Sequence, residues 1–163
     1  MRILGIDPGL ATVGLGLVEA GPGPALQAIE WLTIETDAGL ELPQRLFEIG
    51  KDLDAYIRDT HPELAVIEKL FFSVNVKTAL DVAQARGVIL ATVAKHGIPI
   101  LEPTPPELKS CITGDGNADK AQVQRMLQAM FNLQEPPHPD DAADALALAA
   151  YGAFLGRRAT LIA

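Results

Sequence analysis

The sequence predicts an α/β fold built on a mixed five-stranded sheet, an antiparallel meander continued by parallel strands, with helices on both faces. Three observations predict it. Three strand-like runs joined by short turns fill residues 1–36. Helical periodicity then alternates with two short apolar runs, which is how strands buried on both faces read. The last third of the chain is helical, with prolines and glycines at the breaks.

Each element has its own justification. Met1–Asp7 is an apolar run that exits into a turn at Pro8 and Gly9. Val13–Glu19 alternates glycine with apolar residues and reads as its hairpin partner. Gly21–Pro24 is turn chemistry, and Leu26–Thr36 carries Ile29, Trp31 and Leu32 in a third strand. From Glu41 to Thr60 the period changes. Leu42, Leu46, Ile49, Leu53 and Ile57 recur at helical spacing, and His61-Pro62 stops the helix. Leu64–Ile67 is a short buried strand with Glu68 at its end. Asn75–His96 is a second helix, closed by Gly97. Ile98–Leu101 is the fifth strand. Helices follow over Pro105–Ile112, Asp119–Phe131 and Asp140–Leu155, the last preceded by Pro136, Pro137 and Pro139. No repeat or linker divides the chain, so residues 1–163 are expected to form one domain.

Composition narrows the function. The 163 residues can bury a substantial core. With 48% apolar and 21% charged residues the chain is not of the disordered class. A formal charge of −8 excludes a histone-like coat for polyanions and confines nucleic-acid binding to clustered cations. Cys111 is alone, so neither an internal disulfide nor a multi-cysteine metal site is available. MRILGIDPGL lacks the apolar run of a signal peptide, and Ala145–Gly156 is too short to span a bilayer, so the chain is expected in the cytoplasm.

The chemistry lies in carboxylates placed where burial is costly. Asp7 ends an apolar strand, where a charge must be paired, solvated or bound to metal; the alternative is a plain Asp-Pro-Gly turn. Glu68 ends AVIE in the same way. Ligands collect at the carboxyl ends of strands in α/β sheets, so the two acids can converge. Asp140, Asp141 and Asp144 open the last helix. One of them is explained as a cap. Asp144 shares a face with Asp141 in a helix otherwise of Ala, Leu, Tyr and Phe, where two acids repel unless a cation lies between them. A pairing of Asp140 with Asp144 fits the geometry as well. Oxygen donors without His or Cys select Mg²⁺ or Mn²⁺, and several carboxylates around two such ions suit phosphodiester hydrolysis. His61, His96 and His138 each lie near a turn and read as surface residues.

Positive charge is concentrated mid-chain. Residues 61–130 hold 7 basic and 7 acidic residues, against 4 and 10 in residues 1–60. Lys69, Lys77, Lys109, Lys120 and Arg125 form a candidate phosphate surface. Phe71 and Phe72 follow Glu68 in a loop, where one ring can be exposed to stack on a base.

GIDPG at the start, AVIE in the middle, QARGV in the second helix, GDGNADKAQVQ before the fourth and DAADALALA in the last resemble the RuvC Holliday junction resolvases. The five motifs run in the family's order from residue 1 to about 155. The resemblance implies an RNase H-like fold and a homodimer that cuts two strands of a four-way DNA junction using Mg²⁺, with RuvA and RuvB as branch-migration partners. It implies catalytic acids at Asp7, Glu68, Asp141 and Asp144. It also implies a junction-contacting aromatic at Phe71, with Phe72 as rival, and assisting lysines at Lys120 and Lys109.

The second helix is apolar nearly all round, and Gly87 would permit close approach of another backbone. A two-fold dimer built there, with Val82, Ala85, Arg86 and Ile89 in the contact, would supply two sites for a junction of two-fold symmetry. Three other classes compete. They are a non-catalytic junction-binding module, an RNA–DNA hybrid nuclease of the same fold, and an ATP-binding protein of the actin/sugar-kinase kind. The last needs two such domains and more chain than this.

Overall fold

A computed structural model describes residues 1–21, 25–69 and 76–162, with side chains throughout these except at 76–78 and 157–162. The strands are β1 (Arg2–Asp7), β2 (Thr12–Ala20), β3 (Leu26–Glu35), β4 (Leu64–Ile67) and β5 (Ile100–Leu101). The helices are α1 (Leu42–Thr60), α2 (Val76–Lys95), α3 (Pro105–Thr113), α4 (Lys120–Phe131) and α5 (Asp140–Ile162). The sheet runs β3-β2-β1-β4-β5. β1, β2 and β3 pair antiparallel, while β4 pairs parallel to β1 and β5 parallel to β4, as the element order predicts. β5 is shorter than expected: only Ile100 and Leu101 are strand, and Pro99 just before them has no N–H for a ladder.

Alternation along the strands sorts side chains between two cores. Leu4, Ile6, Leu15, Leu17, Ala65 and Ile67 face α1 and α2. Ile3, Val18 and Val66 face α5, with α3 and α4 beyond it. Each fully buried Leu or Ile contributes about 1.5–3 kcal/mol relative to exposure. By the same alternation Asp7 and Glu68 fall on the α5 side.

The glycines of β1 and β2 let α5 lie directly on the sheet. A Cβ on Gly5 would fall 1.9 Å from the Ala145 carbonyl oxygen, and one on Gly14 1.9 Å from that of Asp141. α5 is therefore sandwiched between sheet and outer helices, which explains its Ala-Leu composition. Ala142, Ala143 and every residue from Ala145 to Ala150 are buried. Among the described residues, no helix is long and apolar enough to cross a membrane.

Helix α2 corrects one expectation. Ala85 and Ile89 are fully buried, with Val93, against α1 and the sheet of the same chain. They cannot form a dimer contact, because their surface is already spent on the monomer's core. Arg86 turns inward as well, onto the Glu68 carbonyl and Glu102, and Val82 is half-buried. The outer face of α2 is the stripe Leu80, Ala83, Gly87, Ala91 and Ala94, on which Leu80 is 58% exposed. His96 also departs from the surface role expected of it: its Nε2 lies 2.8 Å from Asp54 Oδ1, at the junction of α1 and α2.

Candidate active site

The site forms where β1 and β4 end beneath the start of α5. The parallel register Gly5↔Val66, Ile6↔Ile67 brings Asp7 and Glu68 side by side. Asp7 pairs across the hairpin with Gly14, and Asp141 lies over Gly14. Asp144, one turn on, joins Asp7 and Glu68 in a cleft of about 260 Å³, whose walls include Lys109, Lys120, Pro105, Leu108 and Val123.

Capping sets the lysines. Asp119 Oδ1 accepts the Gln122 N–H at 2.8 Å, and Gln122 Oε1 accepts the Asp119 N–H at 2.7 Å. This box starts α4 at Lys120, whose Nζ lies 3.0 Å from Asp144 Oδ2 and 3.3 Å from Asp140 Oδ2. At α3, Glu107 Oε2 accepts from both the N–H and the hydroxyl of Thr104, and Lys109 follows in the first turns.

The acids crowd one another. Burial first, then the charges of Asp144, Glu68 and Asp141, push the Asp7 carboxyl up to about 7, against a smaller opposing effect of Lys120. Burial and Asp144 raise Glu68, with Lys109 opposing. Burial raises Asp144 despite its hydrogen bond from Lys120. For Lys120 burial works against the charge, but Asp144 and then Asp140 outweigh it and hold the ammonium's pKa above its ordinary value. The cleft thus carries more negative charge than Lys120 compensates, in oxygen donors only. Among the described residues no three His, Cys, Asp or Glu side chains are already drawn together tightly enough to hold an ion. The donor chemistry nonetheless fits a hard divalent cation, which would relieve the repulsion that adds to burial in raising Asp7.

The crowding makes the fold less stable as the acids ionise. Asp7 binds its proton more tightly folded than unfolded, so its contribution is fully present below about pH 4 and is lost as pH rises through about 7. Glu68 and Asp144 act in the same direction. In EDTA the Tm is expected to fall between pH 5 and pH 7.5, and Asp7→Asn to flatten that fall. A Tm rising with pH across this window would contradict the crowding.

The structure separates the expected residues. Asp7, Glu68, Asp144, Lys109 and Lys120 line one cleft. Asp141 acts on Asp7 and Asp144 through its charge but does not line the cleft. Asp140 is 63% exposed at the rim, held by Lys120 and Gln124. Lys69 and Arg125 are exposed outside the cleft. Phe71, Phe72 and the side chain of Lys77 lie outside the described residues. Sequence reasoning missed the ion pair of Lys120 with Asp144 and the inward course of Arg86. Only the family resemblance, which marks Lys120 as an assisting lysine, hinted at the first.

A profile of the family described as "Crossover junction endodeoxyribonuclease RuvC" matches residues 3–151. The chain belongs to the RuvC family. Its relatives named RuvC include that of Moorella thermoacetica, 51% identical over 149 residues that cover 91% of this chain and 89% of the relative. That of Syntrophomonas wolfei is 48% identical over 149 residues, covering 91% and 86%. The structure of Thermus thermophilus RuvC in complex with Holliday junction substrate superposes with a TM-score of 0.91 at 29% identity, over 98% of this chain and 97% of that one. The RuvC resemblance and the RNase H-like α/β fold expected from the motifs are therefore borne out.

Proposed function

We propose that the chain is a divalent-metal-dependent endonuclease that resolves four-way DNA junctions in recombination and repair by paired symmetric nicks. The observation that carries this is the meeting of Asp7, Glu68 and Asp144 in one cleft with Lys109 and Lys120 on its walls. Asp7, Glu68 and Asp144, with Asp141 beside the cleft, would hold Mg²⁺, two ions per site, with Mn²⁺ able to substitute. When bound, the ions supply Lewis acidity to the attacking water and the leaving oxygen.

The chain's own residues do the rest. Asp7 and Glu68 are fixed by adjacent strands and so keep their spacing. Lys120 and Lys109 offset carboxylate charge and give a phosphodiester two ammonium groups to approach. Lys69, Lys77 and Arg125 extend that basic surface, and Phe71 or Phe72 stacks on a base opened at the crossover. The chain acts in the cytoplasm as a single nuclease domain over residues 1–163, with RuvA and RuvB moving the junction.

The direct test is product mapping on mobile and immobile four-way junctions with Mg²⁺, Mn²⁺ or EDTA. Paired cuts that need the cation support the assignment. Binding without cutting would make the chain a junction-binding module, and preference for RNA–DNA hybrids would make it a hybrid nuclease.

The second site is expected from a homodimer. The corrected contact is the outer stripe of α2, Leu80, Ala83, Gly87, Ala91 and Ala94, where a Cβ at Gly87 would meet nothing within 4 Å. Phe47, 70% exposed on α1, shares a groove with Val88 and Thr92 of α2. Ala91→Glu is expected to sediment as a folded monomer that loses paired cutting. Paired cutting of one junction by a chain that stays monomeric on DNA would remove the dimer.

A further inference from the structure

Arg86 belongs to the QARGV segment, yet it lines neither the cleft nor the outer stripe of α2. Only 13% of its side chain is exposed. Its Nε donates to the Glu68 carbonyl oxygen at 3.1 Å, and Nη2 pairs with the Glu102 carboxylate. Glu68 follows β4 and Glu102 follows β5, so one guanidinium ties together the ends of two parallel strands.

The sheet leaves room for such a donor. The Ala65 N–H points to β5, onto the Pro99 carbonyl at 3.0 Å. By alternation, Val66 and Glu68 turn their main-chain groups toward β1. Continuing the register past Ile6↔Ile67 sets Asp7 opposite Glu68, and the next main-chain nitrogen on β1, which would face the Glu68 carbonyl, belongs to Pro8, which has no N–H to give. The carbonyl that carries Glu68 would lack a ladder partner, and Arg86 provides one from α2. The charge of Arg86 is matched by Glu102, whereas the Glu68 carboxyl responds to burial, Asp144 and Lys109. Arg86 therefore acts on Glu68 through its main chain.

We propose that Arg86 is a positioning residue: it clamps the end of β4 so that the Glu68 carboxylate faces Asp7 and Asp144. This rests on Glu68 being a cation ligand, as proposed above. Lysine cannot replace the clamp fully, because a single ammonium lacks the guanidinium's planar fork of donors.

The test uses the intact chain with Mn²⁺ as the probe. Free Mn²⁺ is followed by electron paramagnetic resonance without DNA, junction binding is measured in EDTA, and cutting is resolved into kcat and KM. Arg86→Met is expected to weaken Mn²⁺ binding about 10- to 100-fold, the range for losing a group that orients a metal ligand. Its kcat falls while KM and junction binding in EDTA hold. Arg86→Lys recovers part of both losses. Native Mn²⁺ binding and native kcat in Arg86→Met would overturn the proposal. Equal loss of junction binding in EDTA would overturn it too, by making Arg86 a general support of the fold. If Arg86→Met does not fold, Arg86→Gln is judged on the same readouts. Failure of the underlying assignment is distinct: Glu68→Gln would then bind Mn²⁺ and cut like the wild type.

Discussion

Asp7→Asn, Glu68→Gln and Asp144→Asn are each expected to bind a four-way junction and leave it uncut. Each substitution removes one oxygen anion from the cleft these acids share. Metal-assisted stabilisation of a phosphoryl transition state is worth several kcal/mol, and about 1.4 kcal/mol is a factor of ten in rate. Loss of one ligand should therefore lower cutting on the order of a thousandfold. Binding should move the other way. The cleft repels phosphate when empty of cations, so a neutral side chain at Asp7 should leave binding in EDTA equal or tighter. Asp141→Asn is expected to lose cutting as well, by its place over Gly14 and its charge on Asp7. Asp140→Asn is the control and stays active, because Asp140 stands exposed at the rim, with Lys120 and Gln124 as its side-chain partners among the described residues. Gel analysis of nicked products against shifted complexes separates the two effects. Any of the four variants that cuts at the native rate leaves the catalytic set.

Gly5→Ala and Gly14→Ala are expected to be the most destabilising single-carbon additions among the described glycines. At Gly5 the new Cβ would lie 1.9 Å from the Ala145 oxygen and 2.5 Å from the Ala149 nitrogen. At Gly14 it would lie 1.9 Å from the Asp141 oxygen. Both obstacles are main chain of α5, which cannot rotate away as a side chain could. Overpacking costs about 1–3 kcal/mol where side chains can shift, and more where they cannot. A loss of about 3 kcal/mol corresponds to a Tm lowered by roughly 10 °C for a chain of this size. Gly14→Ala should cost activity beyond its cost in stability, since it lifts the turn that carries Asp141. Gly21→Ala, where a Cβ meets nothing within 4 Å, should stay within about 0.5 kcal/mol of wild type. Thermal melts of the three variants decide it, and a native Tm for Gly14→Ala would show that α5 does not rest on the strand.

The elements were legible because each carries its own period. Leu42 to Ile57 reads as a helix on local spacing, and Leu64–Ile67 reads as a buried strand. Asp7 and Glu68 stood out because an ionised group at the end of an apolar strand is expensive unless something compensates it. The error on α2 has the same root. Ala85 and Ile89 look like surplus apolar surface along the helix, but a sequence does not show how many neighbours a helix has. Here α1 and the sheet cover that face.

By itself the sequence determined the order and kind of the elements, the strand ends that bear acids, and the family that shares its motifs. These depend on periodicity, turn chemistry and short spacings, which are local. Only the tertiary structure decided that Lys120 pairs with Asp144, that Asp141 lies over Gly14 outside the cleft, that Asp140 stays at the rim, and that Arg86 holds the Glu68 carbonyl. Each of these joins residues far apart in the chain. Their contact is set by strand register and by how closely α5 and α2 approach the sheet, and no local preference encodes either distance.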